Sequence, residues 1–304
     1  MSPIELSVVV VSWKAGEDVG EIAREFPRDP RFELIVVDNS GEVERELVDG
    51  DRIRLLSPGR NLGFAAGSNA GARAARGARL LFLNPDARAV DQAFERILAA
   101  FREYPEASGC VPRLVGFDGA PQHTWQLKPL PGPGSLLAHA LFWNPVRGPR
   151  LEPAAGTPVA QPAAAALALT RGAFEAVGGF DEAFHPAWFE DVDLARRLDA
   201  HGRRIVYTPS AVFLHRGGAS VGDLGYAGFL LAYDRNLARY LRIHHGRAWE
   251  LLFRALVPIG ALARIAVLPL RRPRRAASRR AAAAALWRVA RGARTGWPPE
   301  EAAR

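Results

Sequence analysis

Two short apolar runs stand out near the start of the chain, Leu6–Ser12 and Glu33–Val37, and the second leads straight into Asp38, Asn39 and Ser40. Apolar runs this short and without alternation are characteristic of strands covered on both faces, so polar residues directly after them fall at the carboxyl edge of a sheet. Between them, Glu17–Phe26 carries its apolar residues at helical spacing. Further along, Ile53–Leu56 predicts a third strand, Gly67–Ala78 a helix of small residues, and Leu80–Leu83 a fourth strand ending at Asn84-Pro85-Asp86. Asp91–Tyr104 reads as a helix and Gly109–Val115 as a strand. The alternation of strand and helix predicts an α/β fold: a Rossmann-like, mainly parallel open sheet with helices on both faces.

Pro121–Pro162 is rich in Pro and Gly and predicts loops with one short helical piece, Ser135–Phe142. Order returns with a strand at Ala163–Leu169, a helix at Arg171–Val177 and a turn at Gly178-Gly179-Phe180-Asp181. Asp191–His201 then predicts a helix stopped by Gly202, and Arg204–Tyr207 a last strand. Beyond it the pattern turns helical: Tyr226–His244 is amphipathic, while Trp249–Leu270 is strongly apolar but interrupted by Arg254, Pro258, Arg264 and Pro269. Two domains follow from this change of character, residues 1–225 and a helical, basic C-terminal region, 226–304.

Charge sharpens the view of that second region. The chain of 304 residues has a formal charge of +8, and Arg271, Arg272, Arg274, Arg275, Arg279, Arg280, Arg288, Arg291 and Arg294 crowd its last stretch. A membrane span wants about 20 apolar residues with few charges, which Trp249–Leu270 misses. It fits a helix pair lying in a bilayer interface, the arginines touching anionic head groups. The alternative is a helical lid on the first domain with a solvated basic tail. Nucleic acid is not expected as a partner. Cys110 is the only cysteine, so no intrachain disulfide forms and a reducing compartment is expected. The N-terminus lacks the order of a signal peptide, which predicts no secretion and a cytoplasmic protein on the inner face of the membrane.

Three separated stretches carry the candidate chemistry: Asn84-Pro85-Asp86, then Glu190-Asp191-Val192-Asp193-Leu194, then His215 in HRGGAS. Moving a sugar from a nucleotide diphosphate requires a grip on the base, neutralisation of the departing diphosphate, and removal of a proton from the acceptor. Asp38 can accept from the N3–H of uracil or thymine, and equally can cap its own turn. Ser12, Arg60 and Asn61 are further candidates for nucleotide contact. The glycines from Gly63 to Gly71 form neither a P-loop nor a dinucleotide fingerprint, and tight packing of a helix on the sheet would account for them. Asp86 and His215 offer hard-oxygen and imidazole ligands for a divalent cation, Mg2+ or Mn2+. Asp193 and Arg197 are spaced as a surface ion pair. Asp191 lacks such a partner in sequence and is the expected base, with Glu190 supporting it. His185, Trp188 and Phe189 form an aromatic stretch that can stack on an acceptor sugar, although Phe189 suits a core equally well.

In order, VVVVSW, VVDNS, NLGFAAGSNAG, FLNPDA, VGGFDEAFHPAWFEDVDLARRLDAHG and HRGGAS resemble the family-2 glycosyltransferases of GT-A fold, especially their bacterial rhamnosyltransferase-like branch, over about Leu6–Ser220. The resemblance implies an inverting, metal-assisted transferase, with dTDP-rhamnose or another dTDP- or UDP-sugar as donor and a cell-surface glycan or polyprenyl-linked acceptor. It matches Asp38 to the base-binding aspartate, Asp86 to the metal aspartate, Asp191 to the catalytic base and His215 to a late metal ligand. Asn84 departs from the general Asp-x-Asp form, and Gln161–Ala166 stands where relatives tend to show an aromatic and a glycine. The alternatives are a catalytically silent sugar-nucleotide-binding subunit of a polysaccharide assembly complex and a sugar nucleotidyltransferase, whose Gly-rich, basic N-terminal loop the sequence lacks.

Overall fold

The computed structural model describes residues 4–47, 50–141, 148–217, 224–270, 273 and 275–297. In chain order it runs β1 (Leu6–Ser12), α1 (Gly16–Glu25), β2 (Phe32–Asp38), β3 (Ile53–Leu56), α2 (Gly63–Ala74), β4 (Arg79–Leu83), β5 (Ala87–Val90), α3 (Ala93–Glu103) and β6 (Gly109–Val115). It continues with α4 (His123–Gln126), β7 (Leu127–Lys128), α5 (Pro133–Ala140), β8 (Gln161–Pro162), β9 (Ala166–Thr170), α6 (Arg171–Ala176), α7 (Glu190–Ala200), β10 (Ile205–His215), α8 (Gly225–His244), α9 (Arg247–Val267) and α10 (Arg279–Thr295). The chain divides into two compact units.

The first unit takes residues within 1–130, 147–183 and 190–217. Its eight-stranded sheet has the order β3-β2-β1-β4-β9-β6-β10-β5. Strands β1 to β4 are parallel, as are β6 and β10, whereas β9 runs antiparallel to both β4 and β6, and β5 antiparallel to β10. The reversal of β9 has a consequence for the site. Its first residue, Ala166, pairs with the last of β4, Leu83, so the segment entering β9 lies at the edge where β1, β2 and β4 end. His215, the last residue of β10, is at that same edge and pairs with Ala87.

Alternating side chains of each strand go to opposite faces, and each face has its own helices. Val8, Val10, Leu34 and Val36 pack with Val19 and Ile22 of α1 and Phe94 and Ile97 of α3. Val9, Ile35 and Phe82 pack with Ala65 and Ala72 of α2, Phe174 of α6, and Leu194 and Leu198 of α7. Glycines let α2 approach this closely, because a Cβ on Gly71 would stand 2.4 Å from Val9 Cγ1 and one on Gly67 2.8 Å from Val11 Cγ1.

The sheet departs from the sequence expectations in four places. Helix α2 begins at Gly63, so most of the Gly-rich stretch is helix. Strand β5 is a short edge strand that the pattern did not reveal. Strand β9 is antiparallel, a direction that composition does not encode. Strand β10 extends past Tyr207 to His215, because the interruption at Pro209 is absorbed as a shift of register between Thr208 and Val212, and proline is tolerated in sheets at such irregularities.

The second unit takes residues within 131–146, 184–189 and 218–304, and therefore includes α5 and an aromatic segment besides the C-terminal helices. Helix α9 is continuous through Pro258 rather than a broken pair. At Gly260 it approaches α5 so closely that a Cβ would collide with the carbonyl of Ala140. The arginine run is not all tail: Arg279–Thr295 forms α10, capped by Ser278 Oγ, which accepts from Ala281 N at 3.0 Å, and ended by Gly296 in the left-handed region. Gly218, Ala219 and Ser220 of HRGGAS, Phe142 of the expected short helix, and Arg271, Arg272 and Arg274 lie outside the described residues.

Candidate active site

The carboxyl edge of the first four strands is lined with polar side chains that the sheet itself does not use. Ser12 and Asp38 end β1 and β2 and are paired in register. Ser12 Oγ is buried with no hydrogen-bond partner, as is Ser68 Oγ on α2. Asp38 is more committed. Its Oδ1 accepts from Ser40 N, Ser40 Oγ and Gly41 N at 3.1, 3.1 and 2.9 Å, and Oδ2 accepts from Val43 N at 2.9 Å. Burial alone would raise its pKa, but the backbone donors of Val43, Ser40 and Gly41 outweigh that and hold it below the ordinary range. The turn-capping role weighed for Asp38 is thus present, with acceptor capacity left on Oδ2. Asn39 Oδ1 accepts from Leu62 N at 3.3 Å and its Nδ2 donates to Gly63 O at 3.3 Å, fixing the entry to α2. Asn61 Oδ1 accepts from Gly63 N at 2.8 Å, and Arg60 is exposed just before it.

Asp86 and His215 meet across the next part of the edge. His215 Nε2 lies 3.4 Å from Asp86 Oδ1 and 3.4 Å from Asn84 Nδ2, and Asp86 Oδ2 accepts from Gly217 N at 3.0 Å. Burial would raise Asp86, but His215 and the Gly217 amide prevail and keep it ionised below its usual range. Gln122 settles the histidine's tautomer. Its Nε2 donates to the carbonyl of His215 at 2.8 Å, which can only accept, so its Oε1 must face Nδ1, at 2.9 Å. Nδ1 therefore carries a proton and Nε2 is turned toward Asp86. A carboxylate kept charged beside an imidazole whose far nitrogen is tied down suits a cation ligand pair. Among the described residues, no group of three or more His, Cys, Asp or Glu side chains is placed to hold a metal, so Asp86 and His215 stand as a pair.

Glu190 and Asp191 open α7. Glu190 is buried and its Oε2 lacks a partner. Asp191 is half-buried, its Oδ1 accepting from Val192 N at 2.8 Å and Oδ2 from Ala164 N at 3.4 Å. Burial pushes both carboxyls above the ordinary range. The neighbouring Asp191 charge adds to the effect on Glu190, while Lys128 and the Val192 and Ala164 amides oppose it on Asp191. A carboxylate raised toward neutrality is poised for proton transfer. Asp193 takes the place expected for an ion pair with Arg197, at 2.6 Å, but the aspartate is buried rather than on the surface. Arg197 also donates to the carbonyls of Val177 and Gly179 at 2.5 and 2.7 Å, locking the start of α7 to the turn before it.

One short segment joins these groups. Asn84 N donates to Ala165 O at 2.9 Å, and the adjacent residue, Ala164, donates to Asp191. The Asn84–Asp86 turn and the Asp191 carboxylate are thus tied to consecutive residues of the segment entering β9. The alanine run at Gln161–Ala166 is the spacer between them. Sequence reading did not single out Gln122, Lys128 or Ala164; each acts through a contact between remote segments, and two fall in the stretch read as loops.

The aromatic segment belongs to the helical unit. His185 O accepts from Asn236 Nδ2 at 3.4 Å, Trp188 stands edge-on to Phe229 with ring centres 5.0 Å apart, and Phe189 is buried against Tyr233 and Tyr240. Trp188 and Phe189 have φ of 76° and 73°, a left-handed conformation that costs bulky residues strain. Asn236 Nδ2 also donates to the carbonyls of Ala187 and Trp188, at 2.8 and 3.1 Å, and so stabilises it.

Comparison with known proteins agrees with this architecture. Residues 7–178 match the model of glycosyl transferase family 2. The N-acetylglucosaminyl-diphospho-decaprenol L-rhamnosyltransferase of Mycobacterium tuberculosis H37Rv is 31% identical over 218 residues, covering 65% of this chain and 69% of that protein. The O-antigen biosynthesis protein RfbC of Myxococcus xanthus is 30% identical over 203 residues, 64% of this chain but only 16% of that much longer protein. Among solved structures, GalNAc-T7 with UDP, GalNAc and Mn2+ superposes with a TM-score of 0.56 at 15% identity, over 80% of this chain and 48% of that one. S. aureus TarS gives 0.50 at 15% identity, over 84% and 42%. At such identity these two likenesses speak for the fold, the GT-A sheet.

Proposed function

The chain belongs to glycosyl transferase family 2, and on that premise we propose that it is an inverting glycosyltransferase that moves a sugar from a nucleotide diphosphate donor to a glycan or polyprenyl-linked acceptor. Rhamnose from dTDP-rhamnose is the proposed donor, on the strength of the similarity to the mycobacterial rhamnosyltransferase. Ser12, Asp38, Arg60 and Asn61 bind the nucleoside. Asp86 and His215 are the residues that would hold a divalent cation, Mg2+ or Mn2+, which when bound supplies positive charge to the departing diphosphate. Few protein ligands suffice for such an ion when phosphate oxygens complete its shell. Gln122 orients His215. Asp191 takes the proton from the acceptor hydroxyl as it attacks the anomeric carbon from the side opposite the leaving group. Glu190, whose carboxyl is pushed above the ordinary range by burial and by the neighbouring Asp191 charge, supports Asp191.

The pair of hydrogen bonds from Asn84 to Ala165 and from Ala164 to Asp191 carries this proposal. It supports a single site in which leaving group and base are separated by one short spacer. The helical unit, with its arginines, is proposed to attach the enzyme to the inner face of the membrane; no helix among the described residues is long and apolar enough to cross one. A panel of UDP- and dTDP-sugars incubated with Mn2+ and detergent, read by release of nucleoside diphosphate, tests the proposal. Preferential turnover of dTDP-rhamnose is expected. No release from any donor, with or without glycan or polyprenyl acceptors, would instead support a silent sugar-nucleotide-binding subunit.

A further inference from the structure

Helix α9 is apolar on two faces: one, with Phe253, Val257, Gly260 and Ala261, is buried in the helical unit, and the other is exposed. Trp249, Leu252, Ile259, Leu262 and Val267 are all exposed, Ile259 by 57% and Leu262 by 52%. At 3.6 residues per turn they fall in one sector of about 140°, running about 27 Å along the axis. The other positions in that sector are alanines and a leucine, so it contains no polar side chain. Glu250, Arg254 and Arg264 lie on the other side of the helix and are held within the helical unit. Arg254 donates to Ala293 O and Arg294 O at 2.7 and 2.9 Å and pairs with Glu250 at 3.3 Å, and Arg264 donates to His139 O at 3.1 Å. These carbonyls end α10 and α5, where the helix dipole favours a cation. An ordinary surface helix turns one apolar stripe to the core and polar residues to solvent; α9 buries Phe253 and Val257 and still presents a second apolar face outward.

The charge around this face identifies what covers it. From Leu251 to Pro299 the sequence holds eleven arginines and no Asp, Glu or Lys. On α10, Trp287 is 60% exposed and shares its helical face with the exposed Arg280, Arg291 and Arg294. Tryptophan beside arginine suits the head-group level of a bilayer. A second copy of the chain would bring like charges together, and nucleic acid would leave the aliphatic face in water. We propose that the exposed face of α9 lies in the plane of an anionic lipid surface, its Leu, Ile, Val and Trp side chains entering the acyl boundary while the arginines of α10 meet lipid phosphates. This rests on the proposed membrane attachment of the helical unit and assigns the face that makes it.

Flotation of the full chain with phosphatidylcholine vesicles, with and without phosphatidylglycerol, tests the assignment. Wild type is expected to float with the phosphatidylglycerol vesicles, and Ile259→Glu/Leu262→Glu to bind them at least tenfold more weakly while retaining donor hydrolysis in detergent. Both positions are exposed, so the change leaves the core intact. A polarity-sensitive fluorophore on Ile259→Cys is expected to shift to the blue on adding vesicles, and one on Glu25→Cys, on α1, is not; Cys110 is buried and its thiol is pushed up to about 12, so it escapes labelling. Equal flotation of the double variant would overturn the assignment of the face while leaving membrane attachment standing. Failure of wild type to float would overturn both. A dimer that the double variant dissolves would give the face to a second copy. None of these outcomes bears on sugar transfer, which is read separately.

Discussion

Gln122→Met keeps the length of the side chain and removes both of its contacts with His215. The amide donates to His215 O at 2.8 Å and accepts from Nδ1 at 2.9 Å. Gln122 is half-buried, so water can replace part of this, and the stability cost is about 1–2 kcal/mol for two hydrogen bonds. That lowers Tm by a few degrees, at about 2–4 °C per kcal/mol for a domain of this size. The functional cost is larger in kind. Without an acceptor at Nδ1 the imidazole is free to place its proton on Nε2, toward Asp86, where it competes with a cation. Loss of such an outer contact weakens metal affinity about 10–100-fold. Calorimetric titration of dTDP and UDP across a series of Mn2+ concentrations should show the nucleotide affinity of Gln122→Met saturating at correspondingly higher Mn2+. Gln122→Glu keeps an acceptor for Nδ1–H and should stay close to wild type in this assay. A Gln122→Met protein with lowered Tm but unchanged Mn2+ dependence would refute the tautomer reasoning and leave Gln122 a merely structural contact.

Lys128→Met removes the positive charge that lowers the pKa of Asp191. The acidic limb of the kcat/KM profile, where the base must lose its proton, should move to higher pH; an unmoved or lowered limb would mean that Asp191 is not the group seen. Gly71→Ala puts a methyl against Val9 Cγ1 and should cost about 1–3 kcal/mol in denaturant unfolding, as overpacking does. Glu33 is buried, and although burial would raise it, Ser7, Arg76 and Arg54 hold it below its usual range. Its contribution is complete above the unfolded pKa of about 4.3 and is lost as pH falls through the lower folded value. Glu33→Gln should therefore reduce stability at neutral pH and flatten the acid side of the stability curve.

Short, mainly apolar runs were legible from sequence: Leu6–Ser12, Ile53–Leu56 and Gly109–Val115 stand at their expected limits. The information is local there, most plainly in Leu6–Ser12, where burial of every residue goes with a continuous apolar run. It fails where tertiary contacts decide. Helix α2 starts earlier than its small residues suggested, since Asn39 and Asn61 organise its first turn from outside the helix. Ala87–Val90 is short, holds Arg88 among two alanines and a valine, and becomes a strand where β10 offers it an edge. The strand expected at Arg204–Tyr207 continues through Pro209, which lies at a break in register within it. The arginine-rich C-terminus read as tail, yet its alanines and Leu286 and Val289 are spaced to bury one face of α10. For the site, residue types identified Asp86, Asp191 and His215 as candidates. The groups that govern them, Gln122, Lys128 and Ala164, carry no signal of their own and come from segments 27 to 93 residues apart from their partners, beyond the reach of local pattern. Asp38 shows the opposite case, a residue whose capping role and ligand role share one carboxylate.

The direct test of one site with two acidic sides is Asp191→Asn, measured both ways on the same preparation. Titration with the donor nucleotide and Mn2+ should agree with wild type within about twofold, while transfer to acceptor should fall at least 100-fold, the usual scale for loss of a general base. Near-normal transfer by Asp191→Asn, or loss of nucleotide binding together with transfer, would contradict the separation of Asp191 on the acceptor from Asp86 on the leaving group.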